Sequence, residues 1–404
     1  MTRGTPLRLL VVSPSHDVFE PTTGTGARLH ELASRLADRH RVSVLCPAEF
    51  AAEPPDWVDA AYGFDRFGPG YLTDLNPLFL RAVRRALDSE PFDVLHVALP
   101  KGVVASKLAV RAGGHEAAVV YAAQNVEAEH ARDVDDPTLP VYKRLVGSRL
   151  IPRIERVSLA AADYVTTVSE RDRETFVRRF GVDPDRILAV PTGTTVPEPA
   201  TLADPAERRR ELGLDDRPTL VFHGSYSHPP NREAVSALVE RVVPGLRDRG
   251  VDVQLLLVGD GMPAVDDSAV TTAGFVEDLY GTLAAADAAV VPIRHGGGTK
   301  TKVFDYLGVG LPIVTTEKGA EGIELVDGEH ALVVADVDES FVDAVAQVVT
   351  DDELGRRLSE ASRTLARERY AWGRSVDRLA GFYEGLVWRD RTDPEERERA
   401  RTVG

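Results

Sequence analysis

The sequence predicts an α/β protein built from two Rossmann-like units rather than one oversized sheet. Three observations carry this reading. Short apolar or β-branched runs alternate with amphipathic segments, the pattern of a parallel sheet covered by helices on both faces. The alternation occurs twice, on either side of a proline-punctuated stretch at 191–218. At roughly 150 residues per domain, 404 residues leave room for two cores.

In the first series an apolar run at 7–12 precedes a helical stretch at 26–38, and 42–46 is the next strand. Helical spacing returns at 79–87, a strand at 94–99 and a helix at 103–111, with further strands at 119–122, 164–168 and 187–190. The connector at 191–218 carries Pro197, Pro199 and Pro205 and a short charged helix at 207–212. The second series has strands at 220–222, 253–258, 288–292 and 312–315, with helices at 232–249 and 279–286 between them. A charged helix spans 351–370, and at 374–388 Val376, Leu379, Phe382, Tyr383 and Leu386 fall near helical spacing. The expected division is therefore an N-terminal domain at 1–190, a linker at 191–218, a C-terminal domain at 219–370, a packing helix at 371–388 and a flexible tail at 389–404.

The formal charge is 48 − 64 = −16, which disfavours broad, nonspecific nucleic-acid binding while leaving room for a local basic pocket. Only six basic residues are lysines, leaving 48 − 6 = 42 arginines. An acidic, lysine-poor surface suits a salt-rich cytoplasm, with compositional bias as the alternative. Cys46 is the single cysteine, so no intrachain disulfide or cysteine metal cluster can form. No apolar run approaches the roughly 20 residues needed to span a bilayer. A cytoplasmic location is expected, with peripheral contact at the inner face of the membrane left open.

Two segments have the composition of ligand loops. Residues 21–26 follow the first strand, and Gly24 and Gly26 would let a substrate approach backbone amides at a helix start. The alternative is a plain strand-to-helix connection, since the spacing matches neither a dinucleotide fingerprint nor a P-loop. In the second series the strand ending at Ile293 runs into Arg294, then Gly296, Gly297, Gly298, Thr299, Lys300 and Lys302. A glycine triplet permits close backbone approach, and a helix terminus flanked by cations stabilises a diphosphate. Lys302 is read as a phosphate ligand against an exposed helix charge, while Lys300 stays open. Asp305, one turn on, either accepts from a ribose or pairs with the lysine. Arg294 is either a ligand or half of a surface ion pair.

These motifs, taken in order, resemble the group 1 or family 4 retaining sugar transferases of the GT-B architecture, over residues 7–388. The residues that carry the resemblance are Gly224-Ser225-Tyr226-Ser227-His228-Pro229-Pro230-Asn231, Val258-Gly259-Asp260-Gly261, Ala273-Gly274-Phe275-Val276, the segment from Gly296 to Pro312, and Gly319-Ala320-Glu321-Gly322-Ile323. The resemblance implies two Rossmann-like domains facing an interdomain cleft, a nucleotide diphosphate sugar as donor substrate, no tightly bound cofactor and no metal. It places donor duties on Lys302 and Asp305, with Ser225, Asn231 and Glu321 as further donor contacts. Helix capping or surface charge is the alternative for Glu321. The family's paired glutamates lie eight positions apart; here the later position is Asp305 and the earlier is Gly297, so backbone atoms of Gly297 or Gly298 replace a carboxylate.

In the N-terminal half, Tyr121 to Glu127 resembles a strand exit at which related enzymes carry a histidine, and Gln124 stands in its place. Glutamine orients a hydroxyl but cannot act as an imidazole base. His130 and His96, the latter read as a strand-exit residue, are therefore the catalytic alternatives, each weighed against a structural role. The acceptor class implied is a glycan, a lipid-linked sugar or a small molecule, and oligomeric state is not readable. Two other functions fit the same motifs: a GT-B nucleotide-sugar epimerase or hydrolase, and an inactive nucleotide-sugar-binding protein.

Overall fold

The computed structural model describes residues 5–21, 23–67, 70–129 and 149–392. The chain divides into two compact units, Met1–Pro191 with Trp372–Gly404, and Thr192–Ala371.

The first unit runs β1 (Arg8–Val12), α1 (Gly24–Leu36), β2 (Arg41–Pro47), β3 (Ala61–Phe64), α2 (Pro77–Ser89), β4 (Val94–Ala98), α3 (Val103–Gly113), β5 (Ala118–Ala122), α4 (Ile151–Ala161), β6 (Tyr164–Thr167), α5 (Glu170–Phe180) and β7 (Ile187–Ala189). Its seven strands are parallel in the order β3-β2-β1-β4-β5-β6-β7. Successive side chains of β1 alternate between faces, so the sheet has a core on each side. Leu10 and Val12 join Leu45, Leu95 and the α2 residues Phe79 and Val83, whereas Leu9 and Val11 join Val42, Val44 and the α1 residues Leu29, Leu32 and Leu36. Both faces are covered, which is why the strands read as unbroken apolar runs. The helix Trp372–Thr392 closes the second face with Val376, Leu379, Ala380, Tyr383 and Leu386. It reaches four residues into the stretch expected to be a flexible tail, because nothing breaks helical spacing before Pro394. Residues 393–404 lie outside the described residues.

The second unit contains α6 (Pro205–Glu211), β8 (Thr219–His223), α7 (Pro229–Ala237), α8 (Val243–Asp248), β9 (Gln254–Val258), β10 (Val270–Gly274), α9 (Leu279–Ala284), β11 (Ala288–Val291), α10 (Thr301–Val309), β12 (Ile313–Thr316), β13 (Leu332–Val334), α11 (Glu339–Thr350) and α12 (Asp352–Leu365). Its six strands are parallel in the order β10-β9-β8-β11-β12-β13. The helix expected across 232–249 widens to a π-turn at Leu238–Val242. Pro244 is the physical reason, since its ring would strike the carbonyl of Glu240 in a regular helix.

From Thr192 onward the expected linker is packed within this unit. Arg208 donates to Thr282 Oγ1 at 2.7 Å, Arg209 donates to the carbonyls of Ala285, Asp215 and Arg217, and Thr194 N donates to the Tyr370 carbonyl at 2.6 Å.

Candidate active site

In an open parallel sheet, ligands gather at the carboxyl ends of strands where the strand order reverses. The second unit reverses between β8 and β11. The sequence candidates converge there: Ser225 and Asn231 follow β8, Arg294 to Thr299 follow β11, Lys302 and Asp305 lie on α10, and Glu321 follows β12.

Lys302 is the centre of this end. It sits in the first turn of α10, 8% exposed, and its Nζ donates to Asn231 Oδ1 at 2.7 Å while lying 3.9 Å from the Phe222 ring centroid. Asn231 is buried as well, and its Nδ2 donates to the Ser225 carbonyl at 2.8 Å, so the lysine is aimed by the loop after β8. Burial, reinforced by the charge of Lys300, pulls the Lys302 ammonium down to about 7. The α10 N-terminus has no side-chain cap from Lys300, leaving its first amides without that partner. A buried ammonium at a helix start that lacks a side-chain cap is chemically matched to a diphosphate.

Lys300 is placed differently. Its Nζ donates to the carbonyls of Gly296 at 2.9 Å and Gly298 at 2.6 Å, so it folds back and fastens the glycine loop. Gly296 and Gly298 have φ of 101° and 71°, which explains the triplet as backbone shape. Gly297 and Thr299 lie partly buried in this loop. Arg294 is exposed and paired with Asp336 at 2.9 Å. Glu321 lies 3.0 Å from Lys318 Nζ, and the Ser225 hydroxyl meets that of Ser227 at 2.7 Å.

Asp305 lies between two aromatic side chains that sequence reading did not single out. Tyr280 donates to its Oδ1 at 3.1 Å, and His223 Nε2 lies 3.4 Å from its Oδ2. His223 is held in turn by its own N–H, which donates to Tyr306 Oη at 2.8 Å. Burial pushes the Asp305 carboxyl up to about 7, against the Tyr280 hydrogen bond, and burial with the charge of Lys302 holds the His223 imidazole down at about 3. The strand expected at 220–222 ends one residue before His223, whereas β8 includes it as its last residue.

The first unit reverses its strand order between β1 and β4. Gly24 and Gly26 form the first turn of α1 there. Thr23 Oγ1 accepts from the Gly26 amide at 3.1 Å, and a Cβ on Gly26 would lie 2.6 Å from the Asp17 carbonyl, so this glycine serves a close approach. His96 is not at a strand exit as expected. It stands in the middle of β4, buried, with its Nδ1 bonded to Tyr383 Oη, and burial lowers it to about 3. The structural reading of this histidine is the one supported. His96→Phe is expected to leave activity intact and to cost about 1–3 kcal/mol of stability through the unpaired Tyr383 hydroxyl, read in paired activity and denaturation measurements.

Gln124 lies buried two residues beyond β5, and His130 lies outside the described residues. The loop bearing Gln124 leads to Glu127 and Ala128, whose N–H groups donate to the Glu155 carboxylate at 2.7 and 3.0 Å. Burial pushes Glu155 up to about 7 from 4.5. A raised carboxyl stabilises the fold below the unfolded value and loses that contribution as pH rises through the folded one. Glu155→Gln is expected to flatten the pH dependence of the denaturation midpoint between 4.5 and 7.

Among the described residues no group of three or more His, Cys, Asp or Glu is arranged to hold a metal ion. Residues 217–351 match the model of glycosyl transferases group 1, and residues 22–196 that of Glycosyltransferase Family 4. The D-inositol 3-phosphate glycosyltransferase of Stackebrandtia nassauensis is 26% identical over 96% of this chain and 94% of its own. A GDP-mannose-dependent alpha-(1-6)-phosphatidylinositol monomannoside mannosyltransferase of Mycolicibacterium smegmatis is 27% identical over 90% of this chain and 95% of its own. The fold matches that of Anabaena Alr3699/HepE, solved in complex with UDP, with a TM-score of 0.70 at 15% identity, covering 94% of this chain and all of that one. With both units matched and both sheets of the Rossmann kind, the chain belongs to the group 1 and family 4 glycosyltransferases of the GT-B superfamily.

Proposed function

We propose that this chain is a retaining glycosyltransferase that moves a sugar from a nucleotide diphosphate sugar to a glycan, lipid-linked or small-molecule acceptor. The observation that carries the reading is the buried Lys302, aimed by Asn231 at the uncapped start of α10. As the glycosidic bond to the donor breaks, negative charge accumulates on the departing diphosphate. Lys302 and the α10 amides offset it in a site with little water to screen the interaction. The acceptor hydroxyl attacks from the face the diphosphate leaves, through a short-lived oxocarbenium-like ion pair, and the configuration at the anomeric carbon is kept.

The relatives direct the choice of donors, since one is named for GDP-mannose and the Anabaena neighbour was solved with UDP. The proposed location is the cytoplasm, with peripheral membrane contact for a lipid-linked acceptor; no helix among the described residues is long and apolar enough to cross a membrane. The test is a matrix of UDP- and GDP-sugars against inositol phosphate, lipid-linked and oligosaccharide acceptors, read by product mass spectrometry and anomeric NMR. A product of retained configuration is expected. An inverted product, or donor isomerisation or hydrolysis in place of transfer, would overturn the reading.

A further inference from the structure

We propose that the first unit binds a phosphate group of the acceptor at Lys101 and His16, where the chains leaving β4 and β1 run side by side. The proposal rests on the nucleotide-sugar reading above, which gives the donor diphosphate to the second unit. β1 and β4 pair in parallel as far as Val12 and Val97, at the reversal of strand order. Beyond them the two exits stay in contact, for a Cβ on Gly102 would lie 3.3 Å from Pro14 Cγ. The loop that carries Lys101 has an imposed shape. Leu99 is the only non-glycine among the described residues with a positive φ, at 68°, and Gly102 follows at 99°. Ser158 Oγ fastens this loop by donating to the Pro100 carbonyl at 2.7 Å. Such strain in a bulky residue persists only where surrounding contacts over-determine it, and here it fixes the backbone on either side of Lys101.

Lys101 is half-buried and has no carboxylate within 4.0 Å among the described residues. In a chain of charge −16 that leaves a cation without a counterion in a crevice. The acids around it are committed elsewhere. Asp17 accepts from the N–H groups of Phe19 and Glu20 at 2.8 and 3.1 Å, Asp74 accepts from that of Ala105 at 2.9 Å, and Glu49 pairs with Arg66 at 3.2 Å. The field at His16 is accordingly positive: burial, then the charges of Lys101 and Arg66, lower its pKa and keep the ring neutral. Its Nδ1 lies 3.2 Å from Thr23 Oγ1, so Nε2 is the nitrogen left to donate to a ligand. Single donors arriving from two loops suit the separate oxygens of a tetrahedral phosphate. A planar carboxylate is matched instead by a guanidinium fork, and Arg66 spends its own on Glu49 and on the Ser15 carbonyl at 3.1 Å.

The test titrates glycerol 3-phosphate into the full chain by calorimetry, with the Lys302 site filled by saturating UDP or GDP, whichever binds. Wild type, Lys101→Met, Lys101→Arg and His16→Asn are compared, with glycerol and glycerate as uncharged and carboxylate controls. Binding is expected to weaken about tenfold in Lys101→Met, the size of one lost charge-assisted hydrogen bond, and about threefold in His16→Asn, and to survive in Lys101→Arg. Nucleotide affinity and Tm should stay at the wild-type value in Lys101→Met, since the lysine has no ion pair to lose. Sedimentation with phosphatidylcholine vesicles, with and without phosphatidic acid, separates two sources of the phosphate. Capture on phosphatidic acid that depends on Lys101 identifies a lipid headgroup, and glycerol 3-phosphate binding without capture identifies a free phosphorylated acceptor. Glycerate that binds as tightly as glycerol 3-phosphate overturns the proposal. So does a Lys101→Met variant that binds the phosphate like wild type or loses nucleotide affinity. A wild type that binds neither nucleotide sinks the proposal together with the proposed function, whereas one that binds nucleotide but no phosphate sinks the proposal alone.

Discussion

Lys302→Met is expected to cut sugar transfer by about 10²–10³-fold, the usual cost of removing one charge stabiliser from a transition state, while making the second unit harder to unfold. The two effects have one cause. The ammonium is buried over the Phe222 ring with Asn231 as its hydrogen-bond acceptor, and burial brings it from 10.5 down to about 7. That displacement corresponds to a penalty of at most roughly 5 kcal/mol for holding the charge without a counterion. Methionine keeps the apolar stem and removes the charge, but leaves Asn231 Oδ1 without its donor at about 1–3 kcal/mol, so a net gain on the order of 2 kcal/mol is expected.

The sign with pH follows from the lowered value. Between about 7 and 10.5 the unfolded chain binds more protons at this lysine than the folded one, so wild-type stability rises with pH across that window. The advantage of the methionine variant should be largest below pH 7 and shrink towards pH 10. A diphosphate restores the ammonium, so binding above pH 7 takes up a proton and donor affinity falls as pH rises. Chemical denaturation from pH 6 to 10 and UDP or GDP titrations over the same range check both halves. A methionine variant that transfers sugar at the wild-type rate removes Lys302 from the site.

The place of Lys302 at a helix start is legible because the residue follows a glycine triplet at a strand-to-helix junction, and it stands out because lysine is rare in this chain. What the sequence could not carry was side-chain direction. Lys300 has the same chemistry two positions earlier, yet it turns back onto the carbonyls of Gly296 and Gly298. His96 is expected near a strand exit, but it is the third residue of β4, which runs from Val94 to Ala98, and the actual exit is marked by Leu99, held at φ 68°, and Gly102 at φ 99°. The pairing of Tyr280 with Asp305 spans 25 residues and leaves no local pattern. Layer order and most strands were readable because both faces of each sheet are covered. The edge strands β3, β10 and β13 were not, since three to five largely half-buried residues produce no continuous apolar run.

Gly259→Ala is expected to cost about 3–5 kcal/mol in the second unit and to weaken nucleotide binding with it. Gly259 follows β9 at φ 131°, and a Cβ there would lie 2.1 Å from the Gly224 carbonyl oxygen and 2.8 Å from its carbon. Backbone on the facing side cannot rotate away as a flexible side chain can. The two strand exits are also zipped by Gly224 N to Val258 O at 2.9 Å and Tyr226 N to Asp260 O at 3.0 Å, while Gly259 N donates to Gly274 O of β10 at 2.7 Å. Prising Gly224 away from β9 therefore breaks backbone bonds as well as straining φ. It also disturbs the loop that aims Lys302, because a Cβ on Gly224 would lie only 3.1 Å from the lysine Nζ and 2.8 Å from Asn231 Nδ2. Gly250 gives a lower reference for the backbone contribution: it has φ of 74°, a milder left-handed conformation than 131°, with nothing within 4 Å of a Cβ, so Gly250→Ala carries left-handed strain alone, about 1 kcal/mol. If the two alanine variants unfold at the same denaturant concentration, close approach is not what requires glycine after β9. A gap of about 2 kcal/mol or more between them, with nucleotide affinity lost only in Gly259→Ala, assigns that glycine to the shape of the Lys302 pocket.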